Sequence, residues 1–193
     1  MNTFFALISR MKFINRWALM RNTTTESLSV HSHETAVIAH ALAVIGNKRL
    51  NKSYNPERAA LLALYHDAGE IITGDMPTPI KYSNPELIAA YKSVEQVANR
   101  RLISKLPEDL QSEYDSIIMC ADPADAALLP LVKAADKISA LIKCIEEVKM
   151  GNSEFEKAKD TVYNSVKKLG LKEADIFLEE FIHSYGLSLD ELN

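Results

Sequence analysis

The sequence predicts an all-α fold in a single domain, and three observations favour this prediction. Six glycines and seven prolines among 193 residues are too few for a turn-rich β fold. Apolar residues recur at helical spacing from end to end, and no segment shows the alternating pattern of a half-buried strand. Polar capping residues followed by proline mark several helix starts. A domain of this length buries roughly 70% of its unfolded surface, so a second domain is not required.

The N-terminal region is predicted to contain an amphipathic helix, a polar loop and a buried helix. The apolar positions of the first helix fall on one face, and they are Phe4, Leu7, Ile8, Met11 and Ile14. Arg10 and Lys12 interrupt this run and no small-residue cleavage site follows, so a signal peptide is not expected. Residues 22–27 suit a loop or a helix cap. Residues 30–45 are apolar on nearly every side, which predicts a central, buried helix.

Helix caps divide the rest of the chain. Two Asn-Pro-Glu sequences, at 55–57 and 84–86, predict N-caps with proline in the first helical turn. The first opens a helix over 58–67, and the second opens a long amphipathic helix to about 106. Glycines and prolines between them predict an irregular loop over 70–81. Further helices are predicted over 124–150, with Pro130 near its first turns or separating a short leading piece, and over 153–169 and 172–185.

Charge and cysteine content exclude several classes of function. The 22 basic and 26 acidic side chains give a net charge of −4, so no global positive field is present to hold a nucleic-acid polymer. Cys120 and Cys144 are far apart and lie in mostly apolar stretches, which favours free thiols over a disulfide. No apolar run reaches about 18 residues, so a membrane span is not expected and the cytoplasm is the expected compartment.

The residues that could carry chemistry are histidines and carboxylates on helices. Neither a glycine-rich phosphate loop nor a Gly-x-Ser-x-Gly elbow is present. His66-Asp67 ends a predicted buried helix and His31 begins another, while Asp136 is a costly carboxylate in a mostly apolar helix. Two imidazoles and two carboxylates without a thiolate suit Mn, Co, Fe, Mg or Zn. Such an ion lowers the pKa of bound water and polarises a phosphoryl oxygen.

Four separated segments resemble the HD-domain superfamily of metal-dependent phosphohydrolases, which is named for the His-Asp dyad. The segments are INRWALMRN (14–22), VHSHETAVIAHAL (30–42), YHDAGEIITGDMPTPIKY (65–82) and KAADKISALIKCIEE (133–147). Together they look like the bacterial 5′-deoxynucleotidases of the YfbR type over nearly the whole chain. The resemblance implies one HD-type helical bundle over 1–193, a homodimer, and a divalent cation such as cobalt or manganese. It also implies removal of phosphate from deoxyribonucleoside 5′-monophosphates with discrimination against ribonucleotides.

The same resemblance implies roles for individual residues. The metal ligands would be His31, His66, Asp67 and Asp136. Arg16 would orient the phosphate, and Trp17 would pack beside the sugar where a 2′-hydroxyl would clash. Glu70 would act as general base towards water, with Arg16 and Asp67 as its catalytic partners. Further substrate contacts would come from Asp67, Asp75, Met76, Pro77, Thr78 and Asp136.

One position departs from the family pattern. Val30 stands where a glutamate precedes the first histidine, and Glu34 lies shortly after that histidine. Of the remaining histidines, His40 is expected to be a hydrogen-bonded core residue and His33 to face a different side of its helix from the ligands. Two alternatives stay open, namely an HD hydrolase for another nucleotide phosphate ester and a catalytically silent nucleotide-binding module.

Overall fold

α-Helices form most of the regular structure in residues 1–77 and 84–193, the part of the chain that a computed structural model describes. In chain order they are α1 (Phe4–Ile8), α2 (Leu28–Arg49), α3 (Pro56–Tyr65), α4 (Glu70–Thr73), α5 (Pro85–Ile103), α6 (Glu108–Ile118), α7 (Leu129–Lys149), α8 (Glu156–Lys167) and α9 (Lys172–Glu180). Short 3-10 segments occupy Ser9–Phe13, Pro123–Ala127, Ser153–Phe155, Ile182–Gly186 and Leu189–Leu192. The prediction of an all-α fold is therefore confirmed.

Side-chain caps fix where the main helices begin. Ser27 caps α2 by accepting a hydrogen bond from the Val30 N–H. Asn55 caps α3 and Asn84 caps α5 in the same way, and each is followed by proline in the first turn. The two Asn-Pro-Glu caps predicted from the sequence are thus confirmed. Ser27 matters for the site because its cap sets the direction in which α2 leaves the N-terminal segment.

Two apolar clusters form the interior of the described residues. The larger one joins α2, α3 and α7 with the C-terminal helices, and its fully buried members include Leu42, Leu62, Leu131, Ile138 and Leu141. The smaller one joins α1 with α5 and α6 through Phe4, Ala68, Leu102, Ile103, Leu106 and Ile118. Ala63 belongs to the first cluster and Ala68 to the second. The dyad between these two alanines therefore lies where the chain passes from one cluster to the other.

The prediction that α2 is buried on nearly every side is wrong. Val30 and Val37 are 59% and 56% exposed, and His33 and His40 are also exposed. The prediction of a core histidine at position 40 is therefore wrong as well. Apolar side chains occupy both the inward and the outward face of this helix, so its sequence pattern does not show which face packs.

Three other boundaries differ from the sequence prediction. Residues 70–73, predicted as part of a loop, form helix α4 because they continue the turn that follows the dyad. Helix α6 was not predicted. Pro130 lies in the first turn of α7, behind a separate 3-10 segment, which is the second of the two predicted arrangements. None of the helices in the described residues is long and apolar enough to cross a bilayer.

Candidate active site

Two histidines and an aspartate from separate segments meet at the dyad. His31 lies in the first turn of α2 and is fully buried, whereas His66 and Asp67 directly follow α3. The Oδ2 atom of Asp67 lies 3.1 Å from His66 Nε2 and 3.7 Å from His31 Nε2. One ligand atom from each of the three residues lies within 4.8 Å of the others. Side chains from two segments distant in sequence therefore point their donor atoms at one small region.

Asp136 approaches the same region from α7. Its Oδ1 atom lies 3.2 Å from His31 Nε2 and 4.0 Å from His66 Nε2. The structure thus brings together all four residues that the sequence singles out as metal ligands, from α2, α7 and the end of α3. Because α2, α3 and α7 also build the larger apolar cluster, the arrangement rests on the most buried part of the fold.

The donor set fits a divalent cation. The hydrogen bonding of His66 supports this fit, because it shows which ring nitrogen faces the two carboxylates. Its Nδ1 atom lies 2.6 Å from the carbonyl oxygen of Ala63, which can only accept, so Nδ1 carries a proton in the neutral ring. Nε2 is buried and has no partner with hydrogen-bond geometry among the described residues, although Asp67 Oδ2 lies 3.1 Å from it. A buried imidazole lone pair beside two carboxylates is a ligand set for a borderline cation.

His31, like His66, has its Nδ1 atom turned away from the site and its Nε2 atom turned towards it. Two consecutive hydrogen bonds fix this arrangement of the His31 ring. Its Nδ1 atom lies 3.0 Å from Ser139 Oγ, and Ser139 Oγ donates its only proton to Glu34 Oε2 at 2.5 Å. Ser139 therefore accepts from Nδ1–H. The Nε2 lone pair of His31 then faces the two aspartates, as metal-binding histidines require.

Both aspartates are held in the ionised form. Burial raises the pKa of Asp67, but the nearby charges of His66 and Arg16 outweigh burial and keep that pKa well below its ordinary value. Asp136 shows the same balance, with burial opposed by the two nearby histidines, and its pKa is lowered. Burial lowers the pKa of His66, yet Asp67 raises it overall to about 9. At neutral pH His66 is therefore protonated on Nε2 next to Asp67, and a cation bound at that atom would displace this proton.

Arg16 enters the site on a segment that we name the strap, residues 14–27. The strap is a loop closed on itself, because Asn15 and Ser27 form an isolated antiparallel bridge. The Arg16 guanidinium places Nη1 3.5 Å from Asp67 Oδ2. Burial lowers the pKa of Arg16, but four carboxylates outweigh burial and raise it, namely those of Glu26, Asp136, Asp67 and Asp75. Arg16 is thus a fixed positive charge surrounded by acidic groups.

Trp17, the next residue of the strap, adopts a strained backbone conformation. Its φ of 59° lies in the left-handed region, which a bulky side chain seldom occupies. The indole ring is 5.4 Å from the ring of Phe155, and its Nε1 donates to Glu26 Oε2 at 2.8 Å. Strain of this kind costs on the order of 1–3 kcal/mol and persists only where the surroundings hold it.

The segment after the dyad is only partly described. Glu70 begins α4, is 5% exposed, and donates its backbone N–H to the Asp67 carbonyl at 3.0 Å. Asp75, Met76 and Pro77 follow in a half-buried, irregular stretch, and the charge of Asp75 acts on Arg16. Thr78 lies outside the described residues. The general base predicted at position 70 thus lies in the turn that carries the dyad.

Sequence reasoning missed two residues that contact the site. The sequence predicts only a polar loop or a helix cap around Glu26, yet this residue is 7% exposed and bonded to Arg16 and Trp17. Ser139 had no assigned role. Its position three residues after Asp136 on one helix puts both on the same face, and this spacing is a signal that could have found it.

Comparison with known proteins identifies relatives over the whole chain. The family described as 5′-deoxynucleotidase YfbR-like matches residues 3–185. A 5′-deoxynucleotidase of Yersinia pseudotuberculosis is 47% identical over 196 aligned residues, covering 100% of this chain and 98% of its own.

Two solved structures have a similar fold. An HD-domain phosphohydrolase from Listeria innocua has a TM-score of 0.81 at 21% identity, over 95% of this chain and 88% of its own. An HD phosphohydrolase of cyanophage S-2L, bound to dA and one catalytic Zn²⁺, has a TM-score of 0.66 at 18% identity, over 93% of this chain and 96% of its own. These likenesses confirm the predicted HD-type bundle.

Proposed function

We propose a specific reaction for this chain, which belongs to the YfbR-like 5′-deoxynucleotidase family and is therefore a phosphoric monoester hydrolase. The reaction is hydrolysis of deoxyribonucleoside 5′-monophosphates to deoxyribonucleosides and phosphate, with discrimination against ribonucleotides. The observation that carries the proposal is the convergence of His31, His66, Asp67 and Asp136 with Arg16 beside them. A cation site next to a fixed guanidinium suits the dianionic phosphate of a monoester.

A divalent cation is the cofactor of the proposed reaction. His31 and His66 would hold it through Nε2, and Asp67 and Asp136 through carboxylate oxygens. When bound, the cation lowers the pKa of water and polarises the phosphoryl oxygen. We propose cobalt or manganese in this role, as the family resemblance implies; two imidazoles and two carboxylates without a thiolate are compatible with either ion. The cyanophage HD phosphohydrolase with Zn²⁺ and dA supports a divalent cation and a deoxyribose ligand here.

The chain's own residues position the reactants and move the proton. Arg16 orients the phosphate through a planar, permanently charged guanidinium. Water attacks phosphorus while the bond from phosphorus to the 5′-oxygen breaks, in line with the attack. Glu70 accepts a proton from the attacking water, and the departing 5′-oxygen takes up a proton from a solvent water at the position that Asp75 contacts, so that no net proton is lost. Phosphoryl transfer of this kind depends mainly on positioning and charge.

Selectivity for the deoxyribose sugar is proposed to come from Trp17. The indole would form a rigid apolar wall where a ribose carries its 2′-hydroxyl. A hydroxyl pressed against this wall would clash and lose a hydrogen-bond partner, which costs roughly 1–3 kcal/mol. Residues 75–78 would complete the substrate pocket, with Asp75, Met76, Pro77 and Thr78 as further contacts.

Hydrolysis of dAMP and AMP by the purified protein with Co²⁺ tests the proposed function. We expect turnover of dAMP and a kcat/KM for AMP lower by roughly tenfold or more. The Trp17→Ala variant should lose this discrimination, while His33→Ala, an exposed change on the same helix as His31, should retain it. Equal turnover of both nucleotides by the wild type would contradict the sugar selectivity.

The same assay separates the two alternative functions. Turnover of dGTP or a cyclic dinucleotide far above that of dAMP would identify an HD hydrolase of another phosphate ester. A thermal shift with nucleotide but no phosphate release, with metal bound, would identify a catalytically silent binding module.

Assembly and location complete the proposal. We propose that residues 1–193 form one HD phosphohydrolase domain that acts as a homodimer on the cytoplasmic nucleotide pool. Light scattering coupled to size-exclusion chromatography checks the dimer, and a monomer at assay concentration would contradict it.

A further inference from the structure

Glu26 is a buried carboxylate at which several contacts of the strap meet. It is 7% exposed, and its Oε2 atom accepts from Trp17 Nε1 at 2.8 Å and from Arg16 Nε at 3.2 Å. Its Oε1 atom lies 4.0 Å from His31 Nδ1. One carboxylate thus bonds the residue proposed to orient phosphate and the residue proposed to exclude ribose, and it lies close to the ring of His31.

The backbone of Glu26 is bound to the same part of the strap. The Glu26 carbonyl accepts from the Arg16 N–H at 3.0 Å, next to the bridge between Asn15 and Ser27. Main chain and side chain of Glu26 therefore hold Arg16 from two directions. This double attachment leaves the guanidinium little freedom to swing.

The strained backbone of Trp17 needs such support. A left-handed φ at a bulky residue is unfavourable, so the ring stays in place only if tertiary contacts oppose relaxation. Phe155 packs against the ring, Asn22 Nδ2 donates to the Trp17 carbonyl at 3.2 Å, and Glu26 holds the indole N–H. Of these three contacts, only the bond to Glu26 fixes the direction in which the indole edge points.

Because of Glu26, the Arg16 guanidinium is shared between two carboxylates. The guanidinium uses Nε for Glu26 at 3.2 Å and Nη1 for Asp67 at 3.5 Å. Without Glu26 the guanidinium would be drawn wholly to Asp67, because a buried charge seeks its nearest counter-ion. Asp67 would then be occupied by arginine rather than available to a cation.

We propose that Glu26 is a positioning residue that sets sugar selectivity. By accepting from both side chains on one oxygen, it fixes the separation between the Arg16 guanidinium and the Trp17 indole. A nucleotide whose phosphate is held by Arg16 then has its sugar at a set distance from the Trp17 wall. This inference rests on the proposed function, since it assigns the selectivity of that same site.

Two variants of Glu26 test the inference, and the chain supplies its own optical probe because Trp17 is the only tryptophan. Glu26→Ala removes both hydrogen bonds, whereas Glu26→Gln keeps a side-chain oxygen that can still accept from the indole and the guanidinium. The control is Glu154→Gln, because Glu154 pairs with Arg21 at the outer end of the strap without touching Arg16 or Trp17. Each protein is measured for kcat/KM on dAMP and AMP, and for Trp17 fluorescence with and without dAMP.

In the Glu26→Ala variant, we expect the dAMP-to-AMP ratio of kcat/KM to fall by roughly tenfold. The Trp17 emission of the metal-loaded protein should shift to the red and respond less to dAMP. Glu26→Gln should restore most of the emission and an intermediate ratio, and Glu154→Gln should match the wild type in both.

A purely structural role of Glu26 gives a different pattern. Lower thermal stability and lower turnover of both nucleotides, with an unchanged ratio and unchanged Trp17 emission, would overturn the inference. Failure of the proposed function is recognised separately, because the wild type itself would then fail to hydrolyse dAMP or to distinguish it from AMP.

Discussion

The Ser139 hydroxyl determines which nitrogen of the His31 ring carries the proton. It accepts from His31 Nδ1 and donates to Glu34, so the ring presents its Nε2 lone pair to the two aspartates. Groups of this kind act through the ligand that they orient, and their loss typically weakens metal binding roughly ten- to hundredfold.

We expect Ser139→Ala to lower the affinity for Co²⁺ by roughly ten- to hundredfold while leaving the fold intact. The alanine fits the space, but His31 loses its orienting acceptor and can turn or change tautomer. Competition with a chelating dye measures the affinity. Ser104→Ala at the end of α5, an exposed serine whose hydroxyl donates to the Arg101 carbonyl, is the control. Unchanged affinity in Ser139→Ala would remove the orienting role.

Glu34 should make stability depend on pH. Burial is the largest cause that raises its pKa from 4.5 to about 7, with smaller contributions from Glu146 and Glu26 against the Ser139 hydrogen bond. Between these two values the unfolded chain has released the proton that the folded chain still holds. Stability therefore falls as pH rises through this window.

The Glu34→Gln variant removes this titration. We expect the Tm of the variant minus that of the wild type to increase between about pH 5 and about pH 8. The corresponding change in the difference of unfolding free energies is about 1–3 kcal/mol. Paired thermal melts at both pH values measure the change. Glu86→Gln on the exposed start of α5 should show no such increase, and a pH-independent difference for Glu34→Gln would contradict the assignment.

At the scale of an element, the end of α7 anchors the strap. Glu147 is 1% exposed and accepts from the backbone N–H groups of Thr23 at 2.9 Å and Thr24 at 3.1 Å. It also bonds Lys143 and the Asn152 side chain. Burial raises the pKa of Glu147, but these bonds outweigh it and hold the pKa well below 4.5. The far end of the strap is thereby fixed to the helix that carries Asp136.

We expect Glu147→Gln to destabilise the protein by about 2–4 kcal/mol at neutral pH, because a buried network loses its only anion. A carboxyl with a lowered folded pKa stabilises above its unfolded pKa, and that stability is lost as pH falls below it. The difference from wild type should therefore narrow below about pH 4. Urea unfolding at neutral pH and below about pH 4 measures the difference in stability. The exposed Glu179→Gln is the control. A difference that stays constant with pH would contradict the lowered pKa of Glu147.

At the scale of the whole molecule, the candidate cation site joins the elements that build the core. Its residues come from α2, α7 and the end of α3, and a ligand bound only by the folded state stabilises it by mass action.

We expect Co²⁺ at about a thousandfold excess over its Kd to add about 4 kcal/mol of stability. The Asp136→Asn variant should lose most of this gain in stability, and the His40→Ala variant should keep all of it. Calorimetry with and without a chelator measures the gain. Absence of a metal-dependent shift in the wild type would count against the site.

The sequence predicted the parts of the molecule that follow local rules. Asn-Pro caps and apolar periodicity gave most helices, because these signals lie within one or two turns of chain. Residues 70–73 and α6 were missed, since their helicity is decided by packing beside the smaller apolar cluster rather than by a strong local signal.

The candidate site was predictable where a motif marked it. His31, the dyad and Asp136 stood out as polar groups in apolar helices, and the structure brings them together. Glu26 did not stand out, because a glutamate in a polar loop is usually solvated, and only the closed strap makes it a buried partner of Arg16. Contacts that depend on how a loop folds back cannot be read from spacing alone.

The position of Arg16 among four carboxylates has a consequence for the order of events. Arg16 and protonated His66 carry two positive charges against these four carboxylates, so the pocket without a cation repels a phosphate dianion. The cation should therefore bind first and invert the local field, after which nucleotide can enter. Free nucleotide that sequesters the cation would then act as an inhibitor at high concentration, and the chain would be regulated by how much divalent metal remains unbound in its surroundings.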